Sequence, residues 1–313
     1  MKIGFLFPGQ GAQSLGMGKD LYEKYEVVKE TYNQVKEITG IDVVDITFNG
    51  PEEKLNETKY TQICILTMSL AILKILEQNG IKAEVSSGLS LGEYTALIYS
   101  KLLSFEDGIK TIQKRGEYMQ NLIPEGEWLM AAILGMDEEQ VEKVCKKVTK
   151  GFAVPVNYNA PGQIVISGSK EGIEEAEIIA KEMGAKKVRV LKTSGPFHTE
   201  KLIEASKALS QELDKVQLNE FETVVIKNID GKPYTENDNV KEILTKHIVS
   251  PVKFSKGLQT MLDMGVDTFV EIGPGKTLSG VVKRMPSDQE INILNINSVE
   301  TLENAIKSLI FKV

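Results

Sequence analysis

Between Glu127 and Leu191 the strand and helix signals run in an order that few folds accommodate. Glu127 to Leu134 reads as a strand, and Asp137-Glu-Glu-Gln140 opens a helix to about Lys147. Phe152 to Tyr158 and Gln163 to Ser167 are two further strands joined by the turn "NAPG". Ser169 begins a helix ending at Gly184, and Lys186 to Leu191 makes a last strand. The order β-α-β-β-α-β is the ferredoxin-like or split βαβ unit, here roughly 65 to 70 residues long and within the lower range of domain sizes.

On both sides of this unit the pattern is a slower alternation of strand and helix. Lys2 to Phe7 reads as a buried strand entering the turn Pro8-Gly9-Gln10-Gly11. Asp20 to Thr39 and Tyr60 to Asn79 read as helices ended by Gly40 and Gly80. Ser104-Phe-Glu-Asp107 resembles a capping box, with Asp in the usual Glu position, opening a helix to about Asn121. Beyond the insert come a helix Glu200 to Leu213 and a strand Thr223 to Ile229. Helices Val240 to Ile248 and Phe254 to Met264 follow, then a strand Thr268 to Ile272 entering "GPG". A helix Thr277 to Arg284, a strand Ile291 to Ile296 and a terminal helix complete the chain. Strands alternating with helices predict an α/β domain with a mainly parallel sheet. The expected organisation is a large domain of residues 1–124 and 194–313 interrupted by a small domain of residues 125–193. Ligands on such sheets bind at the carboxyl ends of the strands, and Gln10, Ser90 and Gly273 each follow one.

The stretch "SSGLSLGEYTA" places Ser90 between Gly88 and Gly92, where a short extended segment turns into an apolar helix. G-x-S-x-G in that setting is the pattern of a nucleophile elbow, in which a tight strained turn presents the serine. A serine nucleophile needs a base, and the chain has two histidines, His198 and His247. His198 follows a rigid Gly-Pro-Phe lead-in at a helix start. His247, near a helix C-terminus, gains favourable dipole contact there. Arg115 in "IQKRGEYMQN" shares a helix face with Met119 and is either a surface residue or, in a pocket, a bidentate partner for a carboxylate.

With 313 residues, 42% hydrophobic and 26% charged, the chain is long enough for a large core and ordinary in composition. A formal charge of −7 and the lack of a basic run with interleaved aromatics argue against nucleic-acid binding. Cys64 and Cys145 are far apart in apolar helical settings and read as reduced, buried thiols of a cytoplasmic protein. The N-terminal apolar run is broken by Pro8 and is too short for a signal peptide. The longest apolar stretch, Ile63 to Leu76, reads as a buried helix too short to span a bilayer.

Six segments come in the order found in one family: "FPGQGAQ" (Phe7 to Gln13), "GLSLGEYTAL" (Gly88 to Leu97), "KRGEYMQ" (Lys114 to Gln120), "NAPGQIVISG" (Asn159 to Gly168), "GPFHT" (Gly195 to Thr199) and "EIGPGKTLSG" (Glu271 to Gly280). By these the chain resembles the malonyl-CoA:acyl carrier protein transacylases over nearly its whole length. The resemblance implies an α/β-hydrolase-like large domain with an inserted ferredoxin-like small one. It implies that Ser90 is the acylated nucleophile, His198 its base, and that Gln10 and Leu91 form the oxyanion hole through backbone N–H groups. Arg115 would pair with the malonyl carboxylate, Met119 would line the pocket, and Asn159 would lie in a small-domain loop facing the cleft. Phe197 would crowd substrates branched next to the thioester. His247 stands where relatives usually carry glutamine, whose backbone carbonyl orients the catalytic histidine. Leu89 stands where many relatives carry histidine.

The resemblance further implies ping-pong malonyl transfer from malonyl-CoA to acyl carrier protein, without a cofactor, by a cytoplasmic monomer that contacts no membrane. A basic patch for the acidic carrier protein could come from Lys186, Lys187 and Lys192, which read equally well as solvated charges. Two rivals share the fold: a serine hydrolase or thioesterase, and a non-catalytic carrier-protein docking module.

Overall fold

The computed structural model describes residues 1–191 and 195–310. The expected boundary between residues 193 and 194, and Lys192, fall outside them. Five strands form a wholly parallel sheet: β1 (Ile3–Phe7), β2 (Val85–Gly88), β7 (Val224–Val225), β8 (Thr268–Ile272) and β9 (Asn292–Ile296), ordered β7-β2-β1-β8-β9. β1 and β8 are buried along their whole length. Strands covered on both faces read as continuous apolar runs, which is why "IGFLF" and "TFVEI" are strands without alternation.

The other four strands form an antiparallel sheet: β3 (Trp128–Leu134), β4 (Ala153–Ala160), β5 (Gln163–Ser169) and β6 (Lys187–Val190), ordered β4-β5-β3-β6. Helices Glu138–Lys146 and Lys170–Glu182 cover one face around a separate core that includes Ile133, Val141, Ile166 and Ile173. This is the ferredoxin-like arrangement, and with the parallel sheet it gives the α/β-hydrolase-like large domain and inserted small domain. β4 also reaches the large sheet's side of the molecule. Tyr158 donates its N–H to Val252 C=O (2.9 Å), and Val252 returns one to Val156 C=O (2.8 Å).

Some local expectations differ from the structure. The helix expected over Asp20 to Thr39 is two, Lys19–Lys24 and Glu26–Thr39, because Tyr25 adopts an extended conformation (φ −112°, ψ 122°) and its N–H closes the first on Leu21. The Ser104 cap is half a box. Asp107 N–H donates to Ser104 Oγ (3.0 Å), but the short Asp107 carboxylate accepts from that hydroxyl (2.7 Å) instead of the backbone. Asp137 and Gln140, whose longer side chain reaches back, make the full box.

The apolar segment lies in a helix of 21 residues, Thr58–Gln78, long and apolar enough by composition to cross a bilayer. It is instead the central helix of the large core, packed against Glu26–Thr39 and Phe105–Asn121. The strand expected over Thr223 to Ile229 shrinks to β7, because at Asn228 the chain turns its polar groups toward the end of β2. Both cysteines are free and buried, and burial pushes each thiol up to about 12.

The junction of β2 with helix Leu91–Tyr99 is packed backbone against backbone. A Cβ on Gly88 would lie 2.0 Å from the carbonyl carbon of Gly92, and one on Gly92 would lie 2.2 Å from Phe7 O. Gly88→Ala therefore meets atoms that cannot rotate away, and should lower stability by about 3 kcal/mol or more. Gly280 sits exposed in helix Thr277–Val282 with open space around it. Gly280→Ala should raise stability by about 0.5–1 kcal/mol through helix propensity. Urea midpoints of the two variants against wild type check both; equal midpoints would contradict the close approach at Gly88.

Candidate active site

Three segments meet at the carboxyl ends of the parallel strands. The first is the turn after β2, where Ser90 has φ 56° and ψ −104°, a region side chains other than glycine rarely enter. Asn228 holds this turn from the loop after β7: Oδ1 accepts from Ser90 N–H (2.7 Å), and Nδ2 donates to Gly88 C=O (2.7 Å). Ser90 is partly exposed while Leu91 behind it is buried.

The second segment carries His198, also at positive φ, 60°. The Gly-Pro-Phe lead-in is tied down by Thr199, whose hydroxyl donates to Pro196 C=O (2.7 Å). Phe197 is buried in the large core with its ring against Gly195. His198 Nε2 stands 2.8 Å from Ser90 Oγ, and Nδ1 stands 3.0 Å from the His247 carbonyl. A carbonyl can only accept, so Nδ1 carries the proton and the Nε2 lone pair faces the serine hydroxyl. Burial holds His198 well below the ordinary histidine range, and His247 and Arg115 push the same way. The imidazole is thus neutral and a competent proton acceptor at neutral pH. The arrangement is a Ser-His pair oriented by a main-chain carbonyl, with no aspartate in the third position. The His247 ring lies 4.9 Å from that of His198, with Glu93 Oε2 3.2 Å from His247 Nδ1 but not aligned as a hydrogen bond.

The third segment is helix Phe105–Asn121, which approaches the start of Thr58–Gln78 so closely that a Cβ on Gly116 would be 2.9 Å from Lys59 Cα. That contact puts Arg115, 1% exposed, beside the serine. Its Nη1 donates to Gln62 Oε1 (2.6 Å) and its Nη2 to Ser90 Oγ (3.0 Å), and its guanidinium lies 5.4 Å from the Tyr94 ring centroid. Nε has no partner, and the guanidinium makes no ion pair among the described residues. Met119, one turn on and buried, receives Gln62 Nε2 at its sulfur (3.6 Å). A buried cation without an anion is costly, several kcal/mol even after relaxation, and is retained where a ligand supplies the counter-charge.

The Gln10 side chain is anchored by Nε2 to Thr58 Oγ1 (3.1 Å), and its backbone N–H has no hydrogen-bond partner among the described residues. The same holds for Leu91 N–H, at the open N-terminus of its helix. Asn159 is not in the loop but near the end of β4, buried, with Oδ1 unpartnered among the described residues. Lys186 and Lys187 are exposed at the far edge strand. Sequence reasoning did not single out Gln62, Asn228 or Glu93. Glu93 sat in view in "GLSLGEY", whereas nothing in the local pattern around Gln62 or Asn228 marks them.

A buried neutral base, a strained serine and a buried arginine at its oxygen suit acyl transfer, and the comparisons place the chain in that class. Residues 4–304 match the acyl transferase domain family, so the chain is an acyltransferase enzyme. More particularly, it belongs to the malonyl CoA-acyl carrier protein transacylases. It is 42% identical to that protein of Bacillus subtilis, covering 98% of this chain and 97% of the relative, and 38% identical to that of Escherichia coli, covering 94% and 96%. The crystal structure of the Clostridium perfringens transacylase superposes with a TM-score of 0.93 at 43% identity, covering 99% of this chain and 97% of that one. A malonyl-transacylase in complex with a type II polyketide acyl-carrier protein superposes at 0.94 and 32% identity, covering 98% and 100%.

The electrostatics set a pH dependence. Ser90 is activated only while Nε2 is unprotonated, and that protonation is displaced to the acid side. Labelling of Ser90 by a fluorophosphonate should stay flat from neutral pH down through about 6.5 and decline with a midpoint below it. Stability moves in the same sense: below about 6.5 the unfolded chain takes up a proton that folded His198 refuses, so stability falls with pH there. A labelling midpoint at or above the ordinary histidine value would contradict a base held on the acid side by burial.

Proposed function

We propose that this chain transfers malonyl from malonyl-CoA to the phosphopantetheine thiol of acyl carrier protein through a malonyl ester on Ser90. The observation that carries the reading is Arg115, buried without an anion and 3.0 Å from the serine oxygen. In a malonyl group one methylene separates the carboxylate from the thioester carbonyl. A cation this close to the nucleophile is therefore within reach of the carboxylate once the carbonyl is under attack.

His198 Nε2 takes the Ser90 proton as Oγ attacks the thioester carbon, and the N–H groups of Gln10 and Leu91 receive the oxyanion. When the tetrahedral adduct collapses, the C–S bond breaks and His198 returns the proton to CoA as its thiol. Oγ, now an ester oxygen and a poorer acceptor, releases Arg115 Nη2 to the carboxylate. The carrier thiol then gives its proton to His198, attacks the ester, and leaves as malonyl thioester while Ser90 regains its proton. Neither half needs a cofactor; CoA and phosphopantetheine enter as parts of the substrates.

Met119 and Asn159 are assigned to the walls of the malonyl pocket, and Phe197, adjacent to His198, to discrimination against branched acyl groups. The His247 carbonyl is assigned to orienting His198. The reading takes residues 125–193 as the small domain, and the enzyme as a cytoplasmic monomer supplying extender units to fatty acid synthesis, away from membranes and nucleic acid. Lys186, Lys187 and Lys192 remain the basic group that an acidic carrier could meet. A thioesterase would share Ser90 and His198 but has no use for an arginine at the serine.

Intact-mass measurement with malonyl-CoA and acetyl-CoA tests this. Wild type should form a malonyl-Ser90 adduct faster than an acetyl one, discharge it to a pantetheine thiol far faster than to water, and Ser90→Ala should form none. Arg115→Ala should lose about 10²-fold in malonylation with little change toward acetyl-CoA, since a bidentate charge-assisted pair is worth about 3 kcal/mol. A malonyl adduct persisting undiminished in Ser90→Ala would sink the mechanism.

A further inference from the structure

We propose that Asn228 is a positioning residue for this reaction: it clamps the backbone of the serine turn, and Glu93 holds the clamp. The proposal rests on the malonyl-transfer reading above. A non-glycine residue at φ 56° is strained and persists only where its surroundings over-determine it. Gly88 and Gly92 make room for the turn but exert no pull on it. The pull comes from one amide side chain that bonds the peptide groups on either side of Leu89, accepting from Ser90 N–H and donating to Gly88 C=O at 2.7 Å each. A single planar amide making both bonds fixes the separation and tilt of those two peptide groups, and hence the direction in which Ser90 Cβ points.

Asn228 is itself held. Its backbone N–H donates to Glu93 Oε1 (3.3 Å), which also accepts from Tyr234 O–H (2.8 Å). Its backbone carbonyl accepts from Lys253 N–H (2.7 Å). Glu93 is 1% exposed on the first turn of the helix that Ser90 precedes, and its other oxygen faces His247, the residue whose carbonyl orients the base. One buried carboxylate thus lies two contacts from the nucleophile's backbone and two from the base's ring. The network touches no reacting atom. Its effect is on the 2.8 Å separation of Oγ and Nε2, and a displacement of about 1 Å at such a pair costs about 10²-fold in rate.

The test is single-turnover malonylation of Ser90 by malonyl-CoA in wild type, Asn228→Ala and Asn228→Asp, with the adduct amplitude counting folded sites. Asn228→Asp is isosteric, keeping the acceptor for Ser90 N–H while losing the donor to Gly88 C=O, and it decides the question should Asn228→Ala fail to fold. The expected result is full amplitude, an unchanged half-saturating malonyl-CoA concentration, and a rate lower by about 10²-fold for Asn228→Ala and about ten-fold for Asn228→Asp. A folding role alone would lower amplitude and melting temperature and leave the rate per site intact. Either variant acylating within about three-fold of wild type per folded site overturns the clamp. Wild type that takes no malonyl at all would instead remove the reading on which it rests.

Discussion

The turn at Ser90 is the constraint around which the large domain is arranged. A residue with a side chain is held at positive φ where β2 becomes a helix, and the helix must then fold back against β1 so closely that Gly92 touches the Phe7 carbonyl. Such an approach needs residues without a Cβ at Gly88 and Gly92, on either side of the serine. It also needs a long apolar helix beneath the sheet to absorb the strain into a rigid core. Thr58–Gln78 is that helix, and it carries Gln62 to the site on the same element. The residues supporting the turn come from distant points in the chain, so the site exists only in the completed fold.

The buried arginine is the second strain, of a different kind. Among the described residues its charge is met by neutral partners: an amide oxygen, a serine hydroxyl and an aromatic face. Each lowers the cost of burial without neutralising it. That charge, 3.0 Å from Ser90 Oγ, adds to the burial that holds His198 below the ordinary histidine range. The basicity of His198 is thus set first by its burial, with the His247 and Arg115 neighbours pushing the same way.

What the sequence made legible follows from which forces are local. β8 is Thr268–Ile272 as read, and the ferredoxin-like order was plain, because apolar runs and helix caps announce themselves within a few residues. The Ser90–His198 contact followed from the scarcity of histidine and from family motifs. The shortness of β7 and the way β4 runs on through Asn159 were not legible, since the chain there bonds to distant residues, Asn228 to the turn at Ser90 and Tyr158 to Val252; the break at Tyr25 is local, an extended residue whose N–H closes on Leu21. Asn228 illustrates the limit. In "VVIKNIDG" it looks like turn punctuation after a strand, and only the fold reveals that its amide is spent on a peptide 138 residues earlier.

His247 shows why a main-chain role tolerates a changed side chain. Its carbonyl sets the tautomer of His198 whatever side chain the residue carries. The carbonyl's position depends instead on the backbone that follows, Ser250-Pro251-Val252, and Val252 is paired with β4 of the small sheet. The segment that aims the base is thus stitched to the strand that carries Asn159. A shift at that seam would move Asn159 and the His247 carbonyl together. An inserted unit joined to the large one only through its two chain connections would leave the His247 carbonyl independent of it; joined at Val252, it ties the direction of His198 to the strand that carries Asn159.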